Sequence, residues 1–264
     1  MLYEGNLLKM RTEQANPVKY YLHPGDAGIC MNDLLGKTVK IEYSGQINCI
    51  SCGKQTKTSF GQGFCYNCLQ TAPEASESVM RPELSKSHFG IARDMEWAEQ
   101  HDLIEHFVYL AASSDLKVGV TRHHQVPTRW IDQGASSAVI IARTPNRHIA
   151  GIIEVWLKQY FTDKTNWREM LRNNLTSFNL PEEKEKAIGL LTPELKKYAE
   201  PGNEITTIDY PVLEYPNKIS SISLDNVPVL EEVLTGIKGQ YLLFGNGTVL
   251  NIRKHNGYFV KIRT

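Results

Sequence analysis

The stretch FVYLAASSDLKVGV, residues 107–120, decides how this chain is read. Phe107-Val108-Tyr109-Leu110-Ala111 and Leu116-Lys117-Val118-Gly119-Val120 are two apolar-rich runs of strand length. Between them, Ala112-Ser113-Ser114-Asp115 is a small polar linker suited to a hairpin turn. Downstream, Pro127 opens a short helix through Thr128-Arg129-Trp130-Ile131-Asp132-Gln133, which Gly134 ends. Ala138-Val139-Ile140-Ile141-Ala142 is a further apolar strand. Ile149, Ile152, Ile153, Trp156, Leu157 and Tyr160 then recur at helical spacing and predict an amphipathic helix over 149–161. Two strands, a helix, a strand and a helix make a compact α/β unit.

Upstream, Val39-Lys40-Ile41-Glu42-Tyr43-Ser44 alternates with the period of two of a half-buried strand, and Pro24-Gly25-Asp26 marks a turn. Residues 70–86 are poor in large apolar groups and read as a connector. Short helices are expected at 166–173, 181–190 and 193–199. The pattern returns to β from Ile205. Residues 241–250 read as strand, Asn246-Gly247 turn and strand, and His255-Asn256-Gly257-Tyr258 as a second turn of that kind. The fold class is α+β: a central α/β unit, a cysteine knuckle ahead of it, and flanking β segments that meet as one small barrel or sheet. The expected divisions are 1–48 (β), 49–70 (knuckle), 71–103 (connector), 104–175 (α/β domain), 176–204 (acidic helical segment) and 205–264 (β).

Lys plus Arg and Asp plus Glu number 29 each, so nucleic-acid binding would need a local basic face rather than overall charge. Residues 181–232 carry eleven acids against five Lys/Arg, whereas Val233 onward has five Lys/Arg and no acid. The acidic stretch is a candidate flap over a basic groove. The basic tail reads as a solvated strand pair or a phosphate-binding surface. No apolar run reaches the roughly 18 residues of a membrane helix. Met1-Leu2-Tyr3-Glu4-Gly5-Asn6 lacks the basic and apolar regions of a secretory signal, so a cytoplasmic, reducing setting is expected.

In such a setting cysteines point to metal rather than to disulfides. Cys49-Ile50-Ser51-Cys52 and Cys65-Tyr66-Asn67-Cys68 are separated by twelve residues. Each two-residue gap lets a tight turn aim both thiolates at one ion, and two pairs complete the tetrahedral shell of Zn²⁺. Gly53, Gly61 and Gly63 supply turns between them. With every position filled by sulfur, the ion would be structural and contribute folding energy. Iron in the same cage and a metal-free thiol cluster are the alternatives. Cys30 stands apart, as a buried small apolar residue does.

The order Phe107-Val108-Tyr109, Lys117-Val118-Gly119, Arg129 and Glu154 resembles the GIY-YIG nuclease fold over about a quarter of the chain. Nearly the whole chain also resembles a bacterial family, domain-of-unknown-function family 2797. That likeness is carried by Cys49-Ile50-Ser51-Cys52-Gly53, Arg81-Pro82-Glu83, Val108-Tyr109-Leu110-Ala111, Lys117-Val118-Gly119-Val120-Thr121, the run from Pro127 to Ala135, and Asp163-Lys164-Thr165. It implies further cysteines, and a second metal site, where this chain has Ser78, Ser85, Ala92 and Asp102.

Phosphodiester hydrolysis needs a base for water, positive charge for the phosphate and usually a divalent ion. Tyr109 would be the base or orient the water. Arg129 would meet the phosphate through its planar fork, and Glu154 would hold Mg²⁺ or Mn²⁺. Gly119 would allow close backbone approach. Lys117 stands where the second motif's tyrosine belongs and could meet a phosphate as a point charge. Arg122, His123 and His124 are secondary candidates in a loop longer than that fold usually has. The structural alternatives are a core Tyr109, a stacked or ion-paired Arg129, and a solvated Glu154. Three functions follow: a zinc-containing, metal-dependent endonuclease acting on DNA or RNA; an inactive zinc scaffold that binds RNA, DNA or a protein partner; or a structural subunit whose β segments dock onto a larger machine.

Overall fold

The computed structural model describes residues 2–23, 28–162 and 164–264, so the turn expected at Pro24-Gly25-Asp26 lies outside the described residues. The chain divides into two compact units, Met1–Gln70 with Asp209–Thr264, and Thr71–Ile208.

In the first unit both ends of the chain enter one eight-stranded sheet. Thr38–Asn48 pairs antiparallel with Tyr258–Arg263 on one side and Val229–Lys238 on the other. Leu2–Asn6 adds outside Tyr258–Arg263. The expected meeting of the terminal segments therefore takes the form of an open sheet among the described residues. The Asn246-Gly247 hairpin forms between Tyr241–Phe244 and Thr248–Asn251. The second Asn-Gly turn does not make a hairpin. Residues Ile252–His255 form a 3-10 turn, and Tyr258–Arg263 then joins Thr38–Asn48 instead of the preceding strand. Gly257, at φ +85°, lies against the Asn48 carbonyl where a Cβ could not fit.

The second unit is built on a four-stranded antiparallel sheet in the order Ile205–Thr207, Ser137–Thr144, His106–Ala112, Leu116–Arg122. His106–Ala112 is buried at all seven residues, because strands flank it on both edges and its faces are covered. The helix runs Arg147–Leu157, earlier at both ends than the apolar spacing predicts. Its start is fixed by Asn146, whose side chain accepts from the Ile149 N–H at 3.0 Å. Its inward face is Ala150, Gly151, Ile153, Glu154 and Leu157, while Ile152 and Tyr160 are exposed.

Residues 71–103 carry short helices, including Met95–His101, capped by Asp94. Here, too, the packing is intimate. A Cβ on Gly151 would run into the backbone of Pro82 and Glu83. Leu180, Ala187 and Leu191 lie in the core with Val139, Ile141, Ile153 and Leu157. The acidic stretch beginning at 181 is thus anchored by its own apolar residues, which a detachable flap would not be. Among the described residues no helix is long and apolar enough to cross a membrane.

Candidate functional site

Cys49 directly follows the Thr38–Asn48 strand, and a turn closes as Gly53 N–H donates to the Cys49 carbonyl at 2.8 Å. Phe60 and Phe64 exchange backbone hydrogen bonds at 2.9 and 2.8 Å, folding the intervening loop back on itself. Cys65 precedes the Tyr66–Thr71 helix and Cys68 lies within it, so one helical turn brings their sulfurs together. Ile50 N–H donates to the Gly63 carbonyl at 2.9 Å, holding the two pairs face to face. The Asn256 amide donates to the Gln62 carbonyl at 3.1 Å and fastens the loop to the sheet end.

All four sulfurs lie within 4.8 Å of one another, with Cys52 and Cys65 Sγ 3.9 Å apart. A tetrahedral ion with Zn–S bonds of about 2.3 Å sets its sulfurs about 3.8 Å apart, so the donor set fits such an ion. Burial opposes ionisation of Cys49, but backbone N–H groups of Cys52, Cys65 and Ser51 bring its thiol down to about 6. Hydrogen bonding to the Cys52 and Cys65 sulfurs pushes Cys68 up to about 12. Crowded thiols resist joint ionisation, and a divalent cation relieves that conflict. Among the described residues this is the one group of three or more His, Cys, Asp or Glu side chains placed to hold an ion, and Cys30 is not part of it.

In the second unit, Tyr109 and Gly119 face each other across the hairpin. The Tyr109 ring is wholly buried over Gly119, where a Cβ would strike its hydroxyl. The space above Gly119 is therefore filled by the phenol. Tyr109 Oη donates to Gln133 Oε1 at 3.1 Å, and its ring meets Trp130 edge-on at 5.9 Å. Burial pushes the phenol up, the Arg129 charge acts the other way, and the Glu154 charge adds to the rise.

Glu154 is only 8% exposed, on the inward face of its helix. Its carboxylate lies 3.5 Å from Lys158 Nζ one turn on. Burial raises its pKa, Lys158 and Lys117 lower it, and Glu83 raises it further. The charges of Arg129 and Glu154 thus both act on Tyr109, and that of Lys117 acts on Glu154. His123 and His124 stand apart, exposed and edge to face at 5.1 Å, and among the described residues neither hydrogen-bonds to Tyr109, Arg129 or Glu154.

Glu83, Arg147 and Asp102 are not among the site residues that the sequence predicts. The Pro82 and Glu83 backbone lies against Gly151, the Glu83 charge acts on Glu154, and Glu83 Oε1 accepts from Arg81 Nε at 3.3 Å. Arg147 donates to the Ser78 and Val79 carbonyls at 2.7 and 2.8 Å and lies 3.8 Å from Asp102. Asp102, 3% exposed, accepts from Ser85 and Ser87 at 3.2 and 2.9 Å. Ser78, Ser85, Ala92 and Asp102, where further cysteines were expected, all line one cavity of about 620 Å³. Hydroxyls, a methyl and one carboxylate there do not make a thiolate shell.

The fold and the cysteine cluster define an α+β protein with one site able to hold a metal ion such as zinc. The chain belongs to the family described as "Protein of unknown function (DUF2797)", which matches residues 36–260. No curated protein and no solved structure matches it.

Proposed function

We propose that this protein binds nucleic acid, carries one structural zinc on Cys49, Cys52, Cys65 and Cys68, and cleaves phosphodiesters at a GIY-YIG-like centre. The observation that carries the reading is the Glu154 carboxylate, 8% exposed on the inward face of its helix, whose charge and that of Arg129 both act on the buried Tyr109 phenol. The reading is also supported by a hairpin followed by a short helix with Arg129 and a later helix with Glu154.

In this reading Glu154, joined by Glu83, would hold Mg²⁺ or Mn²⁺, which supplies charge neutralisation at the phosphate. Arg129 presents its guanidinium to the phosphate oxygens and Lys117 adds a point charge. Tyr109 Oη keeps its proton at neutral pH, because burial raises its pKa. It therefore orients the attacking water in preference to taking its proton.

The second reading is an inactive scaffold for RNA, DNA or a protein partner. It is favoured by Lys117 in the place of a tyrosine, and by Tyr109 having no exposed surface and its hydroxyl already engaged. The test is cleavage of labelled single-stranded, duplex, flap and branched DNA and of RNA in Mg²⁺ or Mn²⁺, by wild type and Glu154→Ala. Cleavage lost in a folded, zinc-loaded variant supports the endonuclease. Binding without cleavage by wild type supports the scaffold.

A further inference from the structure

Another cavity, of about 420 Å³, lies wholly within the first unit, where the loop joining the two cysteine pairs meets residues 221–226 and 254–258. Its most buried polar groups hold one another in place. His255, 3% exposed, donates from Nδ1 to the Asn251 carbonyl at 2.7 Å and accepts the Leu224 N–H on Nε2 at 3.1 Å. Burial pushes its pKa down, so the ring is neutral. Tyr258, 6% exposed, donates its hydroxyl to the two Asp225 oxygens at 3.1 and 2.9 Å. Burial, reinforced by Asp225, pushes this phenol up, and it keeps its proton. Ser223 Oγ donates to Asp225 Oδ2 at 2.8 Å. A carboxylate has about four acceptor positions, so Asp225, itself exposed, keeps one open on Oδ1.

Around this anchored carboxylate stand groups with no bond of their own. Ser59 Oγ is buried and has no hydrogen-bond partner. Among the described residues, the side chains of Gln62, Asn226 and Lys254 make no hydrogen bond and no ion pair. A buried hydroxyl left unpaired is costly until something meets it. One fixed acceptor, several neutral donors and one ammonium suit a ligand that carries hydroxyls and a single anionic group. The volume falls among those of small-ligand sites, about 300–1,000 Å³.

We propose that this cavity binds a ribose phosphate, with Asp225 accepting from the 2′-hydroxyl and Lys254 meeting the phosphate, and that the nucleic acid it selects is RNA. The 2′-hydroxyl both donates and accepts, and it is what tells RNA from DNA at a site. The strand as source of the ribose phosphate rests on the nucleic-acid reading above; the cavity does not. Ser59 and Gln62 belong to the loop between Cys52 and Cys65, so an ion on the four cysteines would hold one wall of the cavity.

The experiment measures anisotropy of labelled single-stranded RNA, DNA and 2′-O-methyl RNA of one sequence, without divalent ions and across a salt series, with adenosine 5′-monophosphate as competitor. Wild type is compared with Asp225→Asn, Lys254→Gln and the zinc-site variant Cys65→Ser, thermal unfolding checking that each is folded. The expected result is RNA bound roughly tenfold more tightly than DNA or 2′-O-methyl RNA, a preference lost in Asp225→Asn and in Cys65→Ser. Lys254→Gln should weaken RNA binding and make its log–log salt slope shallower by about one. If Asp225→Asn fails to fold, the 2′-O-methyl strand and Lys254→Gln carry the test.

Equal affinity for RNA and DNA, unchanged by Asp225→Asn and Lys254→Gln, would overturn the ribose site and leave the nucleic-acid reading standing. Binding of the free nucleotide, weakened by Asp225→Asn, in a protein that binds no strand would uphold the ribose phosphate and remove RNA as its source. Absence of binding to strands and nucleotide alike would overturn both. A preference kept by Cys65→Ser would overturn the zinc-held wall.

Discussion

Cys49, Cys52, Cys65 and Cys68 fall within twenty consecutive residues, and turns of their own segment bring the sulfurs together. Tyr109, Arg129 and Glu154 are held by a hairpin, a short helix and a long helix, and the charge of Glu83, from a segment that precedes all three, acts on Glu154. The first region organises its donors locally, and an ion such as zinc would settle its charge. The second settles most of its charge by internal pairing, Glu154 with Lys158 and Asp102 with Arg147, and depends on packing for its geometry. A metal-stabilised segment and a packed polar centre should therefore fail in different ways.

The largest contrast is expected from Cys65→Ser. Loss of one thiolate should abolish stoichiometric zinc and forfeit a large part of the ~10 kcal/mol or more that such sites supply. Hydrogen exchange should show residues 49–68 losing protection while 106–157 keep theirs. Full zinc content in this variant would contradict the four-sulfur site.

Tyr109→Phe reverses the pattern. Removal of the hydroxyl should cost about 1 kcal/mol of stability, the worth of its bond to Gln133. Cleavage should fall roughly 10²-fold or more if the hydroxyl orients water. Single-turnover rates read beside denaturant unfolding separate the two effects, and an unchanged rate would leave Tyr109 as a core residue alone.

Gly151→Ala tests how firmly residues 82–83 are packed. A methyl there meets backbone rather than a yielding side chain, so about 1–3 kcal/mol should be lost in denaturant unfolding. A neutral result would show that Glu83 is not fixed beside Glu154.

The smallest effect is the pH dependence of Glu154→Gln. Burial raises the Glu154 pKa in the folded state above its unfolded value, so the folded protein binds more protons in the window between the two. Its contribution to stability is therefore greatest below that window and is lost as pH rises through it. Glu154→Gln should lose less stability than wild type over the same rise, and Mg²⁺ should narrow the gap by favouring the carboxylate. Parallel pH curves for the two proteins would mean that Glu154 is not desolvated.

What could be read from the chain alone follows the same division. The cysteine spacing, the 107–120 hairpin and the Asn246-Gly247 turn are short-range patterns, and each forms in the structure, the hairpin as His106–Ala112 and Leu116–Arg122. The helix boundaries were less legible, because Asn146 caps the helix ahead of its apolar repeat. Partners distant in sequence were invisible. Nothing local in Arg81-Pro82-Glu83 announces a neighbour at Gly151, and nothing in Arg147 announces the Ser78 and Val79 carbonyls. Lys184 reads as one more charge on an acidic helix, yet it is buried and donates to the Gly202 carbonyl.

The most direct test of the division of labour is cleavage by protein dialysed against EDTA, with zinc measured before and after, then supplied with Mg²⁺, Mn²⁺ or Zn²⁺. The account predicts that zinc stays at one per chain, that activity vanishes, and that Mg²⁺ or Mn²⁺ restores it while Zn²⁺ alone does not. Activity that follows zinc content and ignores Mg²⁺ and Mn²⁺ would contradict it, moving the chemistry to the cysteines and away from Glu154.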